Sequence, residues 1–407
     1  MSFILYLFVA ILILMFLITI HELGHYLAGK ALGFRITEFS IGFGKAIYKR
    51  QSKKTGEIFA IRMIPLGGYC AFAGGDEADG AFTGNKDCET ETCNDDGSPK
   101  FPDAKGQNYN DTKTWKRLIV LFSGAFFNFV SAIFFCMILI GAFGYFNGIA
   151  VAGLNDNSHN TYLRENDVII GIRLDDTDHR FTMLNNANTV ISNIGIPQDG
   201  RAVIFIIQRE NNYGVIAEDR VPGSIVRVPS GTTVNTEKFE LPHLGIYAGN
   251  GGHFVWQNAG FFESIGRGFV LTFEFAWMIL NGFWQLITGQ LNLAGNVAGP
   301  IGTTTMMVQM MDTTGAFGFL MLLPVISVSL AVFNLLPIPA LDGARMVFTG
   351  IEWARGKPIN PELEGKIHMF GLLGLFAFAI LADILFLPRF LSGSVLEILS
   401  TISRWRL

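Results

Sequence analysis

The chain has 407 residues, of which 50% are hydrophobic and 16% charged, with 37 phenylalanines and a net charge of −4. That balance describes a polytopic membrane protein rather than a string of soluble domains. It excludes a nucleic-acid-binding protein, because phosphate binding needs a concentrated basic surface that this sequence lacks.

Residues 1–31 form the first predicted transmembrane helix. Positions 1 to 20 carry no charge, and apolar character continues to Ala31, broken only by His21-Glu22-Leu-Gly-His25 and Lys30. The run is long enough to span a bilayer. It has no basic start, is longer than a signal-peptide core, and lacks a small-x-small cleavage site before the motif, so we expect an uncleaved helix. Histidines four apart share one helix face, with Cβ atoms about 5 to 6 Å apart, so both imidazoles can reach one Zn²⁺. Glu22 is then placed to act as the general base on water activated by the metal. The alternative is a hydrogen-bonded polar cluster between helices, but intramembrane ionisable groups point first to function. Lys30 lies nine residues beyond His21, about 14 Å along the axis, so the motif is expected below the membrane surface if Lys30 marks it.

Residues 35–75 alternate apolar and polar positions between glycines and read as a small membrane-associated β-hairpin region. They end in Pro65-Leu66-Gly67-Gly68-Tyr69, where a backbone edge could approach the metal site or a plain turn could stand. Residues 76–114 form an acidic, Gly- and Asn-rich insertion. They lack the spaced ligands of a calcium loop, and a solvated loop is expected. Of the four cysteines, Cys88 and Cys93 fall in this insertion, near enough in sequence to pair or to bind metal. Cys70 lies in the hairpin region, and Cys136 sits in an apolar run and reads as a packing residue.

A second transmembrane helix is predicted over 115–146. Its Ser123-Gly124-Ala125 permits close helix packing, and its Asn128 could bond across a helix interface or serve catalysis. Residues 147–252 are soluble in character, with strand-like runs at 168–172, 202–208 and 224–228 and a helix candidate at 184–193, enough for one compact α+β domain. The stretch 163–209 is similar, loosely, to the middle and end of a PDZ domain. Such a domain would bind an extracytoplasmic peptide or protein at a sheet edge, unless it serves as a spacer. Residues 260–303 contain an apolar stretch interrupted by Arg267, Glu274, Asn281 and Gln285, and we expect an interfacial or re-entrant segment. A third transmembrane helix, 316–344, runs into Asn334-Leu-Leu-Pro337-Ile-Pro339-Ala-Leu341-Asp342-Gly343. Two prolines end regular helix there and turn Asp342 back toward the bundle. A fourth helix is predicted at 366–390, followed by a tail at 391–407.

Basic residues between the first two spans (Lys30, Arg35, Lys45, Lys49, Arg50, Lys53, Lys54, Lys113, Lys116, Arg117) put that loop in the cytoplasm. Arg389, Arg404 and Arg406 run mildly against that rule. The 147–252 domain is then extracytoplasmic, and Asp342 returns to the cytoplasmic end where His21 and His25 lie. Had 264–288 crossed as well, Asp342 would reach the opposite face. Two histidines, one carboxylate and an open position match catalytic zinc practice.

Taken together, the sequence resembles the site-2 protease family of intramembrane zinc metalloproteases, of the bacterial RseP/RasP type that regulates sigma factors. His21-Glu22-x-x-His25, Pro65 to Tyr69, Gly299-Pro300-Ile301 and Asn334 to Gly343 stand in the family's order and spacing. The resemblance implies a mainly α polytopic membrane protein of about four transmembrane helices, with a small membrane-associated β-sheet and one extracytoplasmic PDZ-like α+β domain. It implies His21, His25 and Asp342 as ligands of Zn²⁺ and Glu22 as catalytic base. It also implies Asn334, Gly67, Gly68 and Tyr69 as residues that hold an unwound substrate. The expected substrates are single-span membrane proteins already trimmed outside, such as an anti-sigma factor or a signal-peptide remnant. The expected location is the bacterial plasma (inner) membrane, with lipid as a second partner and the active site toward the cytoplasm. Three departures stand out: Ala125 replaces the family's usual proline, only one PDZ-like domain is present, and the acidic insertion has no counterpart. The competing functions are a membrane metal-ion carrier and a catalytically inactive PDZ scaffold.

Overall fold

The computed structural model describes residues 2–74, 103–150, 168–174, 177–180, 202–210, 216–217, 225–227, 254–291 and 297–404. Its residues divide into two compact units, one built from 1–136 and 268–407 and the other from 137–267. Most of the described chain is helical. Five helices among the described residues are long and apolar enough to cross a membrane: 5–32, 114–143, 261–287, 316–335 and 362–385.

The first unit opens with α1 (Ser2–Leu32), whose aliphatic run can bury side chains on any face. β1 (Ile36–Gln51) and β2 (Ile58–Phe72) follow as one long hairpin. Both strands fold over. Ile36 to Ile41 pair with Gly68 to Phe72, and Glu38 to Ile41 also lie in register with Ile58 to Ile61, whose other side takes Tyr48 to Gln51. The ribbon is thus four segments wide, and among the described residues no strand pairs with the outer side of 68–72. Gly42 and Gly44, at φ of +85° and +83°, permit the bend in β1. α1 lies close on the ribbon, because a Cβ at Gly29 would sit 2.5 Å from the Phe72 ring. Lys30 and Tyr26 of α1 also bond Glu57 at the hairpin turn, at 3.2 and 3.0 Å.

α2 (Thr114–Phe143) runs without interruption through Ala125, so the missing proline leaves no break in the helix. Within 260–303, expected as an interfacial or re-entrant segment, the chain forms a continuous 27-residue helix, α3 (Phe261–Ile287). α4 (Pro300–Thr314) begins with proline in its first turn, where no intrahelical donor is lost. α5 (Ala316–Leu335) packs with α1 and α4 in a cluster of Ala10, Ile13, Leu17, Met307, Met311, Leu322 and Leu323. α6 (Asp342–Arg355) and α7 (Pro361–Arg404) complete the unit. α7 carries the buried Asp383, whose carboxylate accepts hydrogen bonds from the amides of Ile301 and Gly302 at 3.1 and 2.8 Å. It satisfies two donors that the start of α4 would otherwise leave open.

In the second unit, β3 (Tyr145–Ala150), β4 (Val168–Leu174), β6 (Ala202–Glu210), β7 (Ile216–Ala217) and β9 (Phe254–Gln257) form a sheet in the order β7-β6-β4-β3-β9. β5 (Thr177–Arg180) pairs with β4 and β8 (Ile225–Arg227) with β6. The helix candidate at 184–193 and most of the PDZ-like stretch lie outside the described residues, as do 75–102 with Cys88 and Cys93.

Candidate metal centre

The centre forms where α1 and α2 cross with almost no side chain between their backbones. A Cβ at Gly24 would stand 2.5 Å from the Ser123 carbonyl oxygen, and one at Gly124 would stand 2.4 Å from His25 Nε2. Only glycine at both positions allows this approach. The imidazoles of His21 and His25, each 7% exposed, are held against Gly124 with ring centroids 4.8 Å apart.

The third group arrives from the far end of the chain. α5 ends at Leu335, and the segment 336–341 turns the backbone so that Asp342 opens α6. Three contacts fix that turn. Gly343 sits against the Leu335 and Leu336 carbonyls, where a Cβ would come within 2.2 Å of an oxygen. Gly371 of α7 lies against Pro339, where a Cβ would come within 2.3 Å. Ala340, at φ +84°, donates its N–H to His368 Nδ1 of α7 at 2.9 Å. A left-handed conformation in a non-glycine residue costs about 1–2 kcal/mol, so these neighbours must hold it.

The result is a triangle of ligand atoms. Asp342 Oδ2 lies 2.9 Å from His21 Nε2 and 3.3 Å from His25 Nε2, and the two nitrogens are 3.2 Å apart. Four ligands around zinc at about 2.0–2.1 Å stand about 3.3 Å from one another, so the triangle matches one face of such a tetrahedron. The tautomer fits as well. His25 Nδ1 donates to the Val120 carbonyl at 2.8 Å, which leaves the Nε2 lone pair directed at the triangle. Among the described residues this is the one group of three or more His, Cys, Asp or Glu side chains close enough to hold a metal ion.

A cavity of about 320 Å³ opens beside the triangle, lined among others by His21, Glu22, His25, Gly68, Tyr69, Arg117, Asn334, Asp342, Arg345, Glu352 and Glu364. Arg117 of α2 is paired with Glu352 of α6. Glu22 faces β2 closely enough that a Cβ at Gly68 would stand 3.4 Å from its Cγ. Gly67 is next in the strand, at φ +113° over the Phe43 ring. Tyr69 donates to Glu38 at 2.8 Å, and Arg62 binds the same carboxylate oxygen at 2.6 Å and Ser40 Oγ at 3.0 Å. Burial and the bond to Glu38 push the Tyr69 phenol above its ordinary range, so it stays a donor and pins the strand. Asn334 donates Nδ2 to the Leu330 carbonyl one turn back, at 2.9 Å.

The structure therefore brings His21, Glu22, His25, Asp342, Gly68, Tyr69 and Asn334 around one cavity, with Gly67 beside it. Several residues that shape the site carry no signal in the sequence of what they contact. Gly24 lies inside the histidine motif and Gly124 in a run of small residues, but neither names its partner. His368 and Gly371 sit in an apolar helix whose contact with the 336–341 turn is purely tertiary.

Residues 9–378 match the model of peptidase family M50. The chain is 30% identical to "Putative zinc metalloprotease Atu1380" of Agrobacterium fabrum, covering 92% of this chain and 94% of that protein. It is 29% identical to "Putative zinc metalloprotease Cj1068" of Campylobacter jejuni, with 92% of each chain covered. Identity is also 29% to "Zinc metalloprotease RasP" of Oceanobacillus iheyensis, over 88% of this chain and 93% of that one. A family match over nearly the whole chain, joined to a zinc-sized triangle of two histidines and a carboxylate, makes this protein a member of peptidase family M50, the site-2 protease family of zinc metalloproteases.

Proposed function

We propose that the protein hydrolyses peptide bonds within the transmembrane segments of single-span membrane proteins already trimmed outside. In this reading His21, His25 and Asp342 hold the zinc and Glu22 is the general base. The observation that carries it is the triangle of ligand atoms opening onto a cavity that also holds Glu22. Bound zinc supplies a Lewis acid that polarises the scissile carbonyl and lowers the pKa of water to about 7. Glu22 takes the proton from the attacking water and returns it to the leaving amine.

A helical substrate must unwind before its carbonyls can be reached, and unsatisfied backbone in lipid costs several kcal/mol per group. The outer side of 68–72 offers replacement bonds to an extended segment. It runs past Glu22, which supports Gly67, Gly68 and Tyr69 as a docking edge. Asn334, which lines the same cavity and whose Nδ2 already donates to the Leu330 carbonyl, would hold the same strand through its amide oxygen. A carrier would need the ligand triangle but not a base beside it, and the placement of Glu22 favours the protease.

The helix directions support a cytoplasmic site. His25 lies toward the C-terminal end of α1 and Asp342 follows the C-terminal end of α5, so these two helices run the same way through the bilayer. α2 crosses once between them. Residues 144–315 must then begin and end on one face, which suits an interfacial α3 and an extracytoplasmic PDZ-like domain able to bind a peptide or protein. The basic loop between α1 and α2 supports a metal end on the cytoplasmic side of a bacterial plasma membrane.

The test is co-expression of a tagged, pre-trimmed single-span reporter with wild type and Glu22→Gln. The wild type should cut within the span and Glu22→Gln should lose at least a hundredfold in rate. Equal cleavage by both would refute the mechanism.

A further inference from the structure

One face of α2 meets the two histidines at regular spacing. Val120, Gly124 and Asn128 are four residues apart and so lie along one stripe. α1 crosses with its motif in the opposite order, so Val120 meets His25, Gly124 lies beneath both rings and Asn128 meets His21. The Val120 carbonyl accepts a hydrogen bond from His25 Nδ1 at 2.8 Å. Asn128 holds the equivalent place for His21: its side-chain amide is 3.4 Å from His21 Nδ1, and the residue is fully buried. Its Nδ2 faces the ring, and its Oδ1 has no hydrogen-bond partner among the described residues.

We propose that Asn128 is a positioning residue for the metal centre, its side-chain oxygen accepting the Nδ1 proton of His21 when Nε2 of that ring is a metal ligand. The inference rests on the His21–His25–Asp342 reading above. Ligation through Nε2 uses that nitrogen's lone pair and leaves the ring proton on Nδ1. A donor at Nδ1 cannot be met by another donor at Nδ2. A half-turn of the amide exchanges Nδ2 for Oδ1 within the same volume, and the oxygen, now without a partner, gains one. The backbone of Asn128 is anchored independently, because its carbonyl accepts from Ser327 Oγ of α5 at 2.8 Å and from Ser131 Oγ at 2.9 Å. The side chain is thereby free to follow the tautomer of His21 while the helix stays fixed. A packing residue at this position would need neither an acceptor nor an amide.

The experiment measures metal affinity rather than proteolysis. Full-length wild type, Asn128→Leu, Asn128→Asp, Ser327→Ala and Asp342→Ala are purified in detergent. Zinc affinity is read by competition with a chromophoric chelator, and ligand geometry by the visible absorption of the Co²⁺-substituted forms. Loss of an outer-shell partner typically weakens metal binding 10- to 100-fold. Asn128→Leu should show that loss and an altered cobalt spectrum. Asn128→Asp, which keeps the acceptor, should bind within threefold of wild type with its spectrum retained, and Ser327→Ala should do the same. Should the leucine variant fail to fold, Asn128→Ala, which needs no added space, carries the same arm. Wild-type affinity in Asn128→Leu overturns the proposal, as does an Asn128→Asp as weak as the leucine variant. Zinc binding unaffected by Asp342→Ala instead overturns the metal-centre reading itself, and the proposal with it.

Discussion

Gly124→Ala puts the smallest available perturbation against the ligand atoms. The new Cβ would stand 2.4 Å from His25 Nε2 and 2.7 Å from Cε1 of both His21 and His25, whereas ordinary contact begins at 3.4 Å. Something must yield by about 1 Å, the difference between 3.4 and 2.4 Å. Metal sites tolerate errors of about 0.2 Å in ligand distance, so a ring that moves away no longer closes the triangle. Overpacking of this kind costs about 1–3 kcal/mol, equivalent to about 5- to 150-fold in a binding constant. The expectation is a 10- to 100-fold loss in zinc affinity, measured by chelator competition, with cleavage of a reporter falling in step. If α1 and α2 separate instead, the loss appears as a lower unfolding temperature. Gly282→Ala is the control: no heavy atom lies within 4 Å of the added carbon, and in a helix the change is neutral or stabilising by up to about 1 kcal/mol. A Gly124→Ala protein that binds zinc within twofold of wild type and melts with it would refute the packing argument.

Gly67→Ala should separate substrate docking from metal binding. Its Cβ would meet the Phe43 ring at 2.2 Å in a backbone conformation that disfavours side chains, so KM for a reporter should rise several-fold while zinc content stays at the wild-type level. His368→Ala removes the acceptor of the Ala340 N–H, a partly buried donor, and leaving it open costs about 1 kcal/mol. Zinc affinity should drop about tenfold in a chelator titration, because His368 acts through the turn that presents Asp342. Asp383→Leu strips two backbone amides of their acceptor at the start of α4. The unfolding temperature should fall by several degrees, with zinc stoichiometry unchanged in the protein that remains folded.

The parts of this molecule that could be read from its sequence are those whose physics is local. His21, Glu22 and His25 are legible because a helix brings positions four apart onto one face, and the hairpin is legible because its strands alternate. Asp342 is 317 residues beyond His25, and only membrane depth and helix direction connect them. The fold-over of β1 and β2 is not legible, since alternation sets which face a residue takes but not which strand it pairs with. Residues 261–287 carry Arg267, Glu274, Asn281 and Gln285, which argue for the interface, yet their backbone is one unbroken helix. Charge speaks to a helix's surroundings and not to its continuity. The glycine contacts at 24, 124, 343 and 371 are the least legible. A small residue announces that something comes close, and only the tertiary arrangement shows whether it is a histidine, a carbonyl or a proline.

The most direct test of the account is the zinc content of purified wild type, Glu22→Gln and Asp342→Ala, measured by atomic emission on the same samples used for reporter cleavage. The account predicts about one zinc per chain in wild type and in Glu22→Gln, with only wild type cleaving, and little zinc in Asp342→Ala. Full zinc in Asp342→Ala, or cleavage by Glu22→Gln at the wild-type rate, would contradict it.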